Sequence, residues 1–340
     1  MMYKYRERDI PPPTINEIHL SYDANRKIKN AFQSLRLNGD NAWLNARDWL
    51  GSTIQHAISP SQLSALVKFK QDPAKTALII RGLPIDSELG ATPYGGYLAP
   101  EKTPVATGCH IGIYQLMQIE PISYINENKG LLFRHVVPST KGQQEKSSHG
   151  SIHTFGHHVD NPDLPLKPEP IQNESRCPEF LSLMALRSDL KVRSNFILLD
   201  DIINNLSQGV IEELKKANYH IQRPDSFGQA KITRLPLVVC GPDGVLSCRY
   251  DKENTTPLTE QAAAALVMLE AQLKNGQIKN DITYQPGDFL IIKNQRVLHS
   301  REGFRSRNDG ADRWLIRLFG MSSLDQIISI NNASPHIGKD

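Results

Sequence analysis

The chain has 340 residues, 39% hydrophobic and 7% aromatic, enough to bury a sizeable core. Its 39 Lys and Arg against 36 Asp and Glu leave a net charge of only +3, and no dense basic run is present, which removes the electrostatic case for a nucleic-acid partner. No stretch approaches the ~18–20 apolar residues of a membrane span, and the N-terminus (MMYKYRERDIPPPT) is charged from its fourth residue without an apolar segment, so no membrane and no secretory signal is expected and the expected location is cytoplasmic.

Residues 9–15 (DIPPPTI) read as an extended lead-in, because consecutive prolines exclude helix. Residues 22–50 carry apolar positions at mixed helical spacing, interrupted by Asn and Asp. Ser59-Pro60-Ser61-Gln62 opens a clearer helix with Leu63, Leu66, Val67 and Phe69 along one side. Residues 76–81 (TALIIR) form a short apolar strand stopped by Gly82, Leu83 and Pro84. Residues 131–137 (LLFRHVV), 180–186 (FLSLMAL) and 196–199 (FILL) are further strands, and 210–217 an amphipathic helix. Residues 235–240 and 245–250 flank Gly241-Pro242-Asp243-Gly244, a hairpin signal. The longest helix is expected from Thr256-Pro257 to Gly276. A turn at 285–288 (QPGD) leads into a strand at 289–292 (FLII), and 313–319 (RWLIRLF) is a late strand.

Many short strands without regular strand–helix alternation indicate an α+β fold with a mainly β core, a double-stranded β-helix (jelly roll) with flanking helices. Residues 1–75 are expected to form a helical extension packed on a jelly-roll domain of residues 76–340, as one structural unit. The four cysteines (Cys109, Cys177, Cys240, Cys248) show no CxxC spacing and read as thiols, although Cys240 and Cys248 flank the hairpin turn and are placed to face each other.

The chemistry centres on Phe155-Gly156-His157-His158-Val159-Asp160. His158 and Asp160, two apart, project to one side of a strand. With 11 His and 36 acidic residues, composition alone yields about one such His-x-acid pair, so the pair gains weight only from its company. His157 is the other candidate if the register differs, though its spacing to Asp160 suits a helix better. A second imidazole from a distant strand, His299, would complete a two-His, one-carboxylate set with open positions for substrate and O2. Downstream, Arg313 and Arg317 stand four apart and so share a strand face. An arginine inside an apolar strand is unfavourable unless it meets an anion, and its planar fork suits a carboxylate. A metal with open positions and an arginine one molecule-length away match 2-oxoglutarate, which has two carboxylates and a chelating keto group.

These motifs resemble those of the clavaminate synthase-like branch of the taurine dioxygenase superfamily, which includes hydroxylases of free arginine, asparagine and lysine. The resemblance covers about residues 76–321. It rests on 78–84 (LIIRGLP), Gly150-Ser151, 183–188 (LMALRS), Arg249-Tyr250-Asp251, Pro286-Gly287-Asp288, 294–301 (NQRVLHSR) and 312–317 (DRWLIR). It implies an iron(II)- and 2-oxoglutarate-dependent dioxygenase acting on a free L-amino acid. His158, Asp160 and His299 would be the metal ligands and Arg313 would hold the oxoglutarate. Arg317 would help with either the oxoglutarate or the substrate carboxylate, and Ser194 is a weaker candidate for a hydroxyl contact to the oxoglutarate. Many members of the branch carry Glu where this chain has Asp160, and the segment after it, 161–165 (NPDLP), is unusual.

By the same resemblance, Glu127 falls where related enzymes hold the substrate's amino group. Asp251 and Glu253 fall where arginine hydroxylases hold a cationic side chain, as two acids sharing a strand face, which leans the substrate toward lysine or arginine; a polar hairpin end before a helix accounts for the same acids. Other readings are the same chemistry on an amino acid tethered to a carrier protein, a non-catalytic metal-binding barrel, or a zinc hydrolase, which leaves Arg313 without a role. Oligomeric state does not follow from the sequence.

Overall fold

The strands pair as the apolar patterns of the chain require. In the computed structural model, residues 14–138 and 152–340 are described; Gly150-Ser151 lies outside them. Strand β1 (Thr14–His19) is followed by helices α1 (Tyr22–Phe32), α2 (Gly39–Asn45), α3 (Arg47–Ala57) and α4 (Pro60–Gln71), then β2 (Lys75–Arg81) and α5 (Pro104–Leu116). Next come β3 (Glu120–Tyr124), β4 (Arg134–Val136), β5 (Phe155–His158), β6 (Phe180–Arg187), β7 (Ser194–Leu198), α6 (Leu199–Ile203) and α7 (Gln208–Leu214). Strands β8 (Tyr219–Gln222), β9 (Ile232–Leu235), β10 (Val238–Cys240), β11 (Leu246–Cys248) and β12 (Thr255–Pro257) precede α8 (Glu260–Leu273). The chain closes with β13 (Lys279–Ile282), β14 (Phe289–Lys293), β15 (Val297–Arg301), β16 (Trp314–Met321) and β17 (Ile337–Gly338).

The larger sheet runs β1-β2-β14-β6-β16-β3-β17, with β4 also on β16, and the smaller runs β13-β7-β15-β5. This is the expected jelly-roll core with flanking helices. The two faces of the large sheet divide by strict alternation. Trp314, Ile316 and Leu318 of β16 pack against the helical layer with Phe289 and Ile291 of β14, where Phe32, Trp43, Leu50 and Phe69 meet them. Leu315 and Phe319, with Leu290 and Ile292, turn into the roll toward the smaller sheet. Each such fully buried side chain contributes about 1.5–3 kcal/mol. The register that buries Leu315 and Phe319 therefore also turns Arg313 and Arg317 inward.

Local chemistry explains most element boundaries. Helix α4 begins with a capping box, Ser59 accepting from the Gln62 amide and the Gln62 side chain accepting from the Ser59 amide, with Pro60 in the first turn. The long helix starts later than its Thr256-Pro257 signal suggests: Thr255–Pro257 pairs with β8 as a strand, and Thr259 caps α8. The strand expected over 131–137 shortens to Arg134–Val136. Helix α5 gives no amphipathic signature because it is buried nearly all round; its first amides donate from Val105 and Ala106 to the Asp86 carboxylate at 2.9 and 3.2 Å. Cys240 and Cys248 do not face each other, since the register sets Cys240 against Leu246 and Cys248 against Val238, and all four cysteines are free.

Candidate metal and cofactor site

His158 and His299, 141 positions apart in the sequence, are direct cross-strand neighbours, because β15 pairs antiparallel with β5 in the register His299↔His158. Their ring centroids stand 4.1 Å apart. Strand β5 ends at His158, so Asp160 reaches the same side from the bend that follows, its Oδ1 lying 3.6 Å from His158 Nε2. One ligand atom from each of the three residues lies within 4.8 Å of the others. Two imidazoles and a carboxylate at this spacing fit a divalent metal such as Fe(II), with positions left open. His157, the alternative in the motif, contacts Asn195 instead.

The surroundings prepare each donor. His158 Nδ1 lies 2.8 Å from the Gly156 carbonyl, which puts the proton on Nδ1 and leaves the Nε2 lone pair free toward Asp160. Gly156 is required here: a Cβ would sit 2.7 Å from Cβ of Lys252, on the loop that bridges back to His158 through Asp251. Burial, aided by the His158 ring, pushes the His299 imidazole down to about 3, keeping it neutral, and its buried Nδ1 has no hydrogen-bond partner among the described residues. Burial opposes charge on Asp160, yet Arg317 and the two imidazoles hold its carboxyl far below the usual range. Burial also opposes charge on His158, but the Asp160 carboxylate raises it above its ordinary value. The site thus attracts a cation, and a metal would occupy the place a proton favours. Asn294 fixes the Asp160 backbone from both sides, accepting from its amide at 3.0 Å and donating to its carbonyl at 3.1 Å.

A largely apolar cavity opens on one side of the triad, with Leu183, Phe196 and Leu290 among its walls and Arg313 and Ser194 in its lining. Arg313 donates to Ser194 Oγ at 3.1 Å, and its guanidinium lies 5.7 Å from the centre of the Tyr284 ring. It forms no ion pair among the described residues, and burial lowers it to about 10. A buried guanidinium lacking a counter-ion is a receptor for an anion.

A second cavity lies on the other side, sharing Phe155, His158, Asp160 and Arg317 with the first. Asp225, Asp251 and Glu253 also line it. Where two acids on one strand face were expected, residues 252–254 form a turn. Asp251 closes that turn, accepting from the Glu253 amide at 2.9 Å and from Asn254 Nδ2 at 2.7 Å; a short polar turn caps itself more readily than it extends a strand. Both acids still reach this cavity.

Glu127 is fully buried. It accepts from Arg317, from Arg134 at 3.2 Å and from Asn161 at 3.2 Å. Arg317 lies 3.6 Å from Asp160 Oδ2, so it joins Glu127 to the triad and stands apart from the Arg313–Ser194 pair. The roles of Arg134, Asn161, Asp225, Tyr284 and Asn294 at the site escape a reading of the sequence. Arg134, inside an apolar strand, carries the same signal as Arg313; Asn161 sits at φ +56°, which Asn tolerates better than most residues.

The sequence profile of the taurine catabolism dioxygenase TauD, TfdA family matches residues 131–319. The L-asparagine oxygenase of Streptomyces coelicolor (strain ATCC BAA-471 / A3(2) / M145) is 27% identical over 293 residues, 83% of this chain and 82% of that protein. The L-lysine 3-hydroxylase of Catenulispora acidiphila is 27% identical over 251 residues, 71% of this chain and 66% of that protein. Among solved structures, the non-haem iron oxygenase OrfP in complex with Fe, succinate and (3R,4R)-dihydroxy-L-Arg superimposes with a TM-score of 0.78 at 22% identity, covering 95% of this chain and 99% of that one.

Proposed function

The chain belongs to the taurine catabolism dioxygenase TauD, TfdA family, and from that premise we propose that it is an Fe(II)- and 2-oxoglutarate-dependent dioxygenase that hydroxylates a free L-amino acid with a cationic side chain. The observation that carries this reading is the cross-strand pair His158–His299 with Asp160, in one cavity with the unpaired Arg313. Fe(II), held by these three residues, would with 2-oxoglutarate and O2 supply the oxidising power to hydroxylate an unactivated carbon, releasing succinate and CO2. Arg313 and Ser194 hold the distal carboxylate of the oxoglutarate, and the apolar walls keep water from it. Arg317 meets the substrate carboxylate in the cavity on the other side of the triad, and Glu127, which lines neither cavity, holds the Arg317 guanidinium in place from behind rather than meeting the amino group itself. Asp225, Asp251 and Glu253 line that cavity with acceptors for an ammonium or guanidinium. An amino-acid substrate agrees with the activities named for the asparagine and lysine relatives.

The test is anaerobic titration of Fe(II)-loaded protein with 2-oxoglutarate, followed by O2 and a panel of L-amino acids. A weak visible charge-transfer band, then succinate formation stimulated most by lysine or arginine, is expected. A band without stimulation by any free amino acid would move the substrate to a carrier-tethered form. No band with folded, iron-loaded protein would refute the site.

A further inference from the structure

A third cavity, of about 460 Å³, shares no lining residue with the two beside the triad. It lies between the end of α4, the β10–β11 hairpin and the 3-10 turn Asn294–Arg296. Four cations line it, Lys70, Lys167, Lys293 and Arg296, together with two acids, Glu179 and Asp243. Two of the cations are matched by acids, Lys167 by Glu179 at 3.2 Å and Arg296 by Asp200 at 2.5 Å. Lys70 and Lys293 form no ion pair among the described residues. Among the described residues Lys70 donates to the Gln118 and Ser322 carbonyls, at 2.5 and 2.8 Å, which line a neighbouring cavity that Lys70 also borders, and Lys293 donates to the Asp72 carbonyl at 2.7 Å and lies 5.8 Å from the centre of the Phe69 ring. The buried Nε of Arg296 has no hydrogen-bond partner among the described residues.

Cations gathered in a partly buried space repel one another and lose hydration, an arrangement unfavourable until an anion enters. The strain is visible in Lys293: burial, with Arg296 and Lys167 beside it, pushes its ammonium down to about 7 against the opposing pull of Asp72 and Glu179. Burial likewise lowers Lys70. Solvated lysines on an open face would carry neither feature.

We propose that this cavity is a second ligand site, which binds a small tetrahedral dianion of the sulfate or phosphate kind, free or as the phosphoryl group of a metabolite. Lys70, Lys293 and Arg296 supply charge-assisted donors, and the cavity has room for more than the anion alone.

The test is calorimetric titration of the full chain with sodium sulfate against sodium chloride at matched ionic strength, then with inorganic phosphate and a sugar phosphate. In Arg313→Met, which removes the anion receptor of the first cavity, one saturable sulfate per chain is expected to remain, and it should weaken at least ~10-fold when Lys293→Met or Lys70→Met is added. Lys70 sits at a partly exposed helix end, so its variant reports even if Lys293→Met misfolds. Tighter binding of the sugar phosphate than of free phosphate would identify the phosphoryl source, and the reverse a free ion. Sulfate binding no stronger than chloride, unchanged by both lysine variants, or lost in Arg313→Met would overturn the proposal.

Discussion

Replacing Arg313 by methionine should separate ligand binding from stability in a direction unusual for a buried residue. Arg313 is 5% exposed, forms no ion pair among the described residues, and burial lowers it to about 10. A folded-state value below the unfolded one means that holding the charge opposes folding at every pH below about 10, and that the penalty fades only as pH rises above that value. At ~1.4 kcal/mol per unit, the shift corresponds to on the order of 3 kcal/mol. Against this, the variant loses the Ser194 hydrogen bond and the contact with the Tyr284 ring, together about 1–3 kcal/mol. The ligand-free variant should therefore be as stable as the parent, or more stable by up to ~2 kcal/mol. 2-Oxoglutarate at 100 times its Kd should stabilise the parent by about 2.7 kcal/mol and the variant by almost nothing. Urea unfolding of the anaerobic Fe(II) protein at pH 7.5, with and without 2-oxoglutarate, reads both quantities. A ligand-free variant weakened by more than ~2 kcal/mol, or one still stabilised by 2-oxoglutarate, would refute the idea that Arg313 waits for an anion.

His299→Ala should bind iron substoichiometrically and lose turnover, checked by metal analysis and succinate release; full activity would remove His299 from the site. Asp251→Asn with Glu253→Gln should lower kcat/KM for a basic amino acid by ~10–100-fold through lost charge-assisted contacts, while neutral amino acids change little; equal losses for both classes would argue against a cationic side chain. Gly287→Ala should destabilise the fold by at least ~3 kcal/mol in denaturant unfolding, because Gly287 sits at φ +88° and a Cβ would lie 2.2 Å from the Leu83 carbonyl oxygen. Lys293, lowered to about 7 from 10.5, imposes its full penalty below pH 7 and loses it as pH rises toward 10.5. Stability should carry a rising component across that window that Lys293→Met removes, and identical pH profiles would contradict it.

Features governed by neighbouring residues were open to reading in advance. The capping box at Ser59, the hairpin around 241–244 and the strands at 180–186 and 289–292 appear where local chemistry puts them, because caps, tight turns and period-2 burial are settled within a few residues. Helix α5 was silent because it is apolar on every side, and Thr255–Pro257 was misjudged because a cap-like Thr-Pro pair cannot reveal that β8 lies alongside. The acids at 251 and 253 show the same limit: their spacing suits a strand, but the turn closed by Asp251 suits it better.

His158, Asp160, His299 and Arg313 could be named from residue type, spacing and resemblance, since a chelating pair and a costly buried arginine leave marks in the chain itself. That His158 and His299 face each other depends on the antiparallel register of β5 and β15. That Arg313 has no counter-ion among the described residues while Arg317 is engaged by Glu127 and Asp160 depends on which strands close the roll. The basic cavity depends on three segments, from α4, the β10–β11 hairpin and the turn at 294–296, that no local pattern connects. Covalent spacing is written in the chain, whereas charge environments are made by long-range packing, and it is packing that decides which of these side chains are left seeking a ligand.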